Sequence, residues 1–385
     1  MDLDKIRDEF VKRFSNDPRL FRAPGRVNLI GEHTDYNDGF VMPFAIDRAT
    51  IVAGAKRDDR LIEVVALDMD ESASIDLDAE PQKQRDSWTD YVEGMARCIE
   101  EKFGRISGAN LWITSDVPIG SGLSSSAAIE VSVGLALLSL SGIEIDREKL
   151  AFAGQKAEHE YAGTKSGIMD QFASALCKKG SAMLLDCRSL ERQDISFETD
   201  DSVTIVCDTK VEHSLASTEY NKRREECEEG VRLLKKHLPE IKALRDVSLD
   251  QLAKYKSDLS ETVYRRCRHV ISENERTLKA AEFFKNKDLT AAGKLMFESH
   301  ASLRDDYEVS CKELDALVEI ASDVEGVFGS RMTGGGFGGC TVNIIRKAVL
   351  DDFKRSVREG YSQRFGREPD IYEFHAADGA SEVTP

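Results

Sequence analysis

The stretch from Leu111 to Leu140 constrains this chain more than any other. It reads as a short strand (Leu111–Thr114), a glycine–serine loop (PIGSGLSSSAA, residues 118–128) and an apolar helical run (Ala127–Leu140). That order aims backbone N–H groups at an anion, because the first turn of a helix has N–H groups without partners and carries the positive end of its dipole. Gly120 and Gly122 let the backbone approach a ligand, while Ser121, Ser124, Ser125 and Ser126 add hydroxyls beside Leu123. A serine-capped helix after a tight turn is the structural alternative. The loop is not a Walker loop, since no lysine follows the last glycine, and Ser125 stands where a GxGxxG motif needs its third glycine. With no acidic ribose-binding residue placed after a βαβ unit, a nucleotide-binding oxidoreductase is excluded.

Two further segments are rich in glycine. PGRVNLIGEHTDYNDG (residues 24–39) gathers Arg26, Glu32, His33 and Asp35 within ten positions. Sugar recognition needs such a set, because each hydroxyl both donates and accepts. A solvated turn with one salt bridge has the same composition. GSRMTGGGFGGC (residues 329–340) holds six glycines in twelve residues, which implies positive-φ turns or a close approach by another segment or a ligand.

Along the rest of the chain, Ile6, Phe10, Val11 and Phe14 predict an amphipathic first helix, not a secretory signal. Ile51–Ala55, Ile62–Ala66, Ala182–Leu185, Val203–Cys207 and Ile371–Ala376 read as strands, and Trp88–Phe103 and Lys149–Tyr161 as helices. From Glu219 to about Glu313 the sequence is charge-rich and helical, with caps at Ser248 and Asp288. The change of character near residue 200 divides the chain into expected domains 1–200 and 201–385, and the last residues, DGASEVTP, are expected to fray.

A length of 385 residues with 41% hydrophobic and 32% charged residues suits a globular protein of two domains. The formal charge of −17 repels phosphate backbones and anionic lipid, which argues against nucleic acid or a membrane as partner. The Ala127–Leu140 run, broken by Glu130 and serines, is too short to span a bilayer. Eight scattered cysteines match neither a zinc site nor a disulfide framework, and a reducing cytoplasm is the expected setting.

The three glycine segments, in this order, resemble those of the galactokinases of the GHMP kinase family. Further matches are AEHEYAGTKSGIMDQFAS (157–174), EHSLASTEYNKRREEC (212–227), HVISENERT (269–277), FESHASLRDDYEVSCKELD (297–315) and YEFHAADGA (372–380), so the resemblance covers nearly the whole chain. It implies an α+β, two-domain fold: a mixed-sheet N-terminal domain with the nucleotide loop, a helix-rich C-terminal domain, and an active site in the cleft between them. The implied reaction is transfer from ATP, with Mg²⁺, to the C1 hydroxyl of galactose. Kinases for N-acetylgalactosamine or arabinose and a non-catalytic galactose sensor are the alternatives.

By the same resemblance, Asp170 acts on the C1 hydroxyl as general base or electrostatic partner, with Arg26 beside it and the γ-phosphate. Helix N-cap and surface ion pair are their structural alternatives. Glu32, His33, Asp35, Gly167 and Tyr220 are implied sugar contacts. His33 is equally a turn hydrogen-bonder, and Tyr220 shares a core stripe with Cys227, Val231, Leu234 and Leu238. Residues 120–126 are implied to bind the nucleotide, with Trp88 near the adenine or in the core. Ser126 and Glu158 are implied magnesium ligands; Glu160, four residues after Lys156, has a ready surface partner instead. His213, His269 and His300 match family motifs without a chemical role. Lys165 and Ser166, before Gly167, depart from the Pro–Cys or similar pair common in the family, which leaves the sugar less defined than the reaction. A monomer acting on small molecules is expected.

Overall fold

The computed structural model describes residues 1–211 and 216–384, apart from the side chains of 216 and 217. Among these residues the strands form three sheets. The largest has the order Ser381–Val383, Arg19–Asn28, Pro43–Lys56, Ala109–Ser115, Leu61–Ala66 and Glu71–Asp76. It is mixed: Leu61–Ala66 runs parallel to Ala109–Ser115, and the other pairs are antiparallel. The second sheet orders Val327–Thr333, Cys340–Arg346, Ser202–Asp208 and Asp370–Phe374, and the third Phe40–Val41, Ala182–Asp186 and Arg192–Ile195. The expected fraying of the final residues does not occur at Ser381–Val383, which pairs with Arg22–Leu20.

The helix Ser125–Leu140 is apolar on all sides and accordingly buried, packed against Arg19–Asn28 and Pro43–Lys56. Its Gly134 has no room for a Cβ, which would lie 2.3 Å from Met95 Cε. An apolar cluster containing Val27, Phe44, Phe284, Val342 and Phe374 then joins the large sheet to the second sheet and its helices. The first helix, Leu3–Phe14, buries Ile6 and Phe10 but leaves Val11 exposed, because 6, 10 and 14 share a face and 11 lies about 100° away from it. Ser248 and Asp288 cap helices as expected, accepting from the N–H groups of Gln251 and Ala291. The helix expected to run to Tyr161 is α-helical only over Arg147–Ala157, then widens into a π-turn at Glu158–Ala162. Such turns displace one residue outward and recur at functional sites. Among the described residues no helix is long and apolar enough to cross a membrane.

Candidate active site between two loops

Arg19–Asn28 carries the first glycine segment toward the start of the helix Ser125–Leu140. Arg26 sits at the junction, with its N–H bonded to Leu123 O at 3.0 Å. Its guanidinium forms a fork on Asp170, Nε to Oδ1 at 2.7 Å and Nη2 to Oδ2 at 2.8 Å, while Nη1 donates to Gly122 O at 2.6 Å. This bidentate pair is buried at Arg26 (4% exposed), so it is not the surface ion pair that the residue types alone allow. Asp170 lies in the first turn of the helix Met169–Leu176, whose N-cap is Ile168, and so it is not the cap either. Ser124, held at φ 61°, donates its hydroxyl to Asp170 Oδ2 at 2.5 Å. Three donors therefore fix the orientation of that carboxylate.

The pair faces a cavity of about 120 Å³ lined by Arg26, Glu32, His33, Asp35, Glu158, Ser166, Asp170, Tyr220 and the Gly334–Gly335 backbone, among others. Glu32 is buried and accepts from Asn28 Nδ2 at 3.1 Å, Arg331 Nη2 at 2.5 Å and the Gly334 N–H at 3.1 Å. Burial raises its pKa, opposed by Arg331 and Arg26. Asp35 is pushed up to about 7 by burial and by the neighbouring Asp170. Gly167 does not line the cavity; it lies against Asp35, and a Cβ there would meet Asp35 Oδ2 at 1.9 Å.

His33 has both ring nitrogens engaged, Nδ1 with Tyr36 Oη at 2.8 Å and Nε2 with Gly335 O at 3.2 Å. Its bond to Tyr36 is that of a turn hydrogen-bonder, and its ring lines the cavity. Burial holds its pKa well below the usual imidazole range. Tyr36 Oη continues to Tyr307 Oη at 2.8 Å, and that group to Cys227 Sγ at 3.1 Å. Tyr220 packs against His33 in a tilted arrangement, with ring centroids 5.2 Å apart and 40° between the planes.

A second cavity, about 380 Å³, opens on the other side of the helix start and is largely apolar. Trp88, Tyr91, Met69, Ile113, Ile119 and Ile129 line it, with Gly120, Ser125 and Ser126 at one end. Trp88 packs partly against the core and also donates Nε1–H to Glu71 at 2.6 Å. Ser121, Gly122, Leu123 and Ser124 do not line this cavity: Ser121 donates to Pro118 O, and Leu123 is fully buried. No serine side chain caps the helix, so the capping alternative fails and the first-turn N–H groups stay free of side-chain partners.

Between the cavities, Ser126 Oγ lies 3.2 Å from Glu158 Oε1. Glu158 also accepts from Ser166 Oγ and from Gln171 Nε2, so its three donors are all neutral. Burial raises its pKa. Glu160 points away, paired with Lys83 and Lys156. A buried carboxylate with no cationic partner among the described residues and an adjacent hydroxyl are hard oxygen donors of the kind magnesium takes. Among the described residues no cluster of three or more His, Cys, Asp or Glu could hold a metal by itself, but an ion carried on nucleotide phosphates needs only one or two protein oxygens.

Two glycines of the third segment are set by contact with the second. A Cβ at Gly334 would lie 2.8 Å from Gly122 O, and one at Gly339 2.9 Å from Ser121 O. Several important partners escaped sequence reasoning: Arg331, Asn28, Ser166 and Gln171. Arg331 stands inside the third segment, yet nothing local pointed it at Glu32. His300 accepts from the Met332 N–H in the core, and His213 lies outside the described residues.

A family profile described as the galactokinase galactose-binding signature matches residues 8–56, and the N-terminal and C-terminal GHMP kinase domains match 90–178 and 280–363. A galactokinase of Chloroflexus aurantiacus is 48% identical over 95% of this chain and 94% of its own. One of Haemophilus influenzae is 43% identical over 96% of each. The crystal structure of Lactococcus lactis galactokinase complexed with galactose superposes with a TM-score of 0.95, at 34% identity over 99% of this chain and 100% of that one. Methanococcus jannaschii mevalonate kinase, at 19% identity and a TM-score of 0.65 over 94% of this chain and 99% of that one, shares the fold. The chain belongs to the galactokinases of the GHMP kinase family.

Proposed function

We infer that this protein phosphorylates galactose at its C1 hydroxyl with ATP, giving galactose 1-phosphate and ADP. The observation that carries this reading is the Arg26–Asp170–Ser124 cluster, which faces a small polar cavity and stands one loop away from a larger apolar one. The polar cavity takes the sugar, with Glu32 and Asp35 as hydroxyl partners and the rings of His33 and Tyr220 as walls. Gly167 keeps room for Asp35. The apolar cavity takes the adenine beside Trp88, and the free N–H groups after Gly120 and Gly122 receive the phosphates.

Phosphoryl transfer depends on alignment and charge neutralisation. Asp170 orients the C1 hydroxyl and accepts its proton as the new P–O bond forms; Arg26 holds Asp170 and adds positive charge beside the transferring group. Ser126 and Glu158 would hold magnesium, which when bound neutralises charge on the phosphoryl oxygens. A chain with Arg26, Asp170 and Ser126 all assembled favours catalysis over a silent sensor. The eight unpaired thiols support a reducing cytoplasm, and we propose a monomer whose halves meet near residue 200.

A coupled assay over galactose, N-acetylgalactosamine and arabinose, with ATP and GTP as donors, tests the reading. Galactose with ATP is expected to turn over fastest; no turnover of galactose beside high turnover of another sugar would overturn it.

A further inference from the structure

The HVISENERT segment lies on the helix Glu261–Lys285, far from the reacting groups in sequence, and nothing above gives it a task. One face of that helix meets the sugar loop at both of its ends. Glu273 Oε1 accepts from the Gly31 N–H at 3.0 Å, and Asn274 Oδ1 accepts from the Phe40 N–H at 2.9 Å. One turn earlier on the helix, His269 Nε2 donates to Glu32 O at 3.2 Å. Each contact is to loop backbone, and the groups are buried: 0% exposed at His269 and Glu273, 6% at Asn274.

Of the two glycines that bound the loop, Gly39 records the same contact and Gly31 records the closure of the loop on itself. A Cβ at Gly31, where φ is +94°, would lie 2.5 Å from Phe40 O, and one at Gly39 would lie 2.4 Å from Asn274 Oδ1. Asn274 Nδ2 has no partner among the described residues, and the amide meets the loop through its oxygen. Glu273 Oε1 also receives Ser299 Oγ at 2.6 Å and Oε2 receives Arg276 Nε at 2.7 Å, which together fix the carboxylate against Gly31.

We propose that His269, Glu273 and Asn274 are positioning residues for galactose: they clamp the backbone of Gly31–Phe40 so that Glu32, His33 and Asp35 meet the sugar in one geometry. The proposal rests on the galactokinase reading and adds to it a set of residues that touch neither substrate. A loop held by three bonds to a rigid helix loses little freedom when the sugar binds, and that saving appears in affinity. The nucleotide cavity has no contact with this helix face, so the clamp acts on one substrate only.

Asn274→Ala removes one end of the clamp. Its KM for galactose is expected to rise about tenfold, with KM for ATP within twofold of wild type. Hydrogen exchange at the amides of Gly31 and Phe40 is expected to quicken while the amides of the helix stay protected. A galactose KM within twofold of wild type, or an equal rise in both KM values, overturns the proposal and leaves Asn274 a core residue. If the alanine variant does not fold, Glu273→Gln, which keeps the side-chain volume, is read for the same split and the same exchange. If the wild-type protein turns over no galactose, the functional reading fails, and faster exchange at Gly31 and Phe40 in the variant still supports the clamp, while unchanged exchange overturns it.

Discussion

The two loops that meet at Arg26 are built in opposite ways. The sugar loop, Gly31–Phe40, is buried over most of its length and tied at both ends to one helix. The phosphate loop, Pro118–Ser125, is more open: Ile119 is 70% exposed, and the N–H groups at its helix end lack side-chain caps. A hexose is recognised by many weak, angle-dependent bonds, so its partners are set before it arrives. A triphosphate is held by charge and by N–H groups that must stay free for it, so its cradle keeps its polar groups unspent.

The largest expected break in this contrast is at the shared carboxylate. Asp170→Asn is expected to lower kcat by about 10²–10⁴ while calorimetry still shows galactose and ATP binding. Near-normal kcat would remove Asp170 from the chemistry. On the sugar side, Gly167→Ala forces a Cβ into Asp35, an overpacking worth about 1–3 kcal/mol, so KM for galactose should rise roughly tenfold to a hundredfold. Steady-state kinetics with ATP varied separately would detect the opposite case, a change in KM for ATP alone. On the phosphate side, Glu158→Gln should raise the magnesium concentration for half-maximal rate by about tenfold and leave the KM for galactose unchanged. A metal titration that matched wild type would assign the ion to other groups.

The smallest effect is one of pH. Asp35, raised to about 7 by burial and by Asp170, binds its proton more tightly in the folded chain than in the unfolded one. Its contribution to stability is therefore present at low pH and is lost as pH climbs from about 4 through 7. Asp35→Asn should flatten the fall of Tm across that window in sugar-free protein. Glu32 is shifted in the same direction, so the difference between variant and wild type is the quantity to read. Parallel Tm profiles would exclude Asp35 as the source.

What the sequence displayed was the inventory of the site more than its wiring. Arg26, Glu32 and Ser126 stand out because each sits in a short segment of unusual composition, whereas Asp170 and Glu158 were reached only through the family resemblance. The buried helix after the glycine loop was legible for the same local reason, and the mixed sheet only through the resemblance. Arg331 was not, because it is 299 positions from the Glu32 it supports, and packing alone sets which atoms oppose each other. Ser124 looked like one serine of four, whereas its positive φ turns it to Asp170 and away from the nucleotide cavity. The edge strand Ser381–Val383 escaped notice because three residues carry too little pattern, and a partner strand supplies their order.

The engagement of both nitrogens of His33 has a consequence for proton polarity. A carbonyl can only accept, so Nε2 carries the hydrogen that goes to Gly335, and Nδ1 must receive one from Tyr36. Tyr36 in turn receives from Tyr307, and Tyr307 from the Cys227 thiol. Four hydrogens thus point one way along a string from the interior to the Gly335 carbonyl at the cavity wall. Adding a proton at Nδ1 would require Tyr36 to turn its hydroxyl hydrogen away, and the imidazole stands at the cavity as a neutral wall.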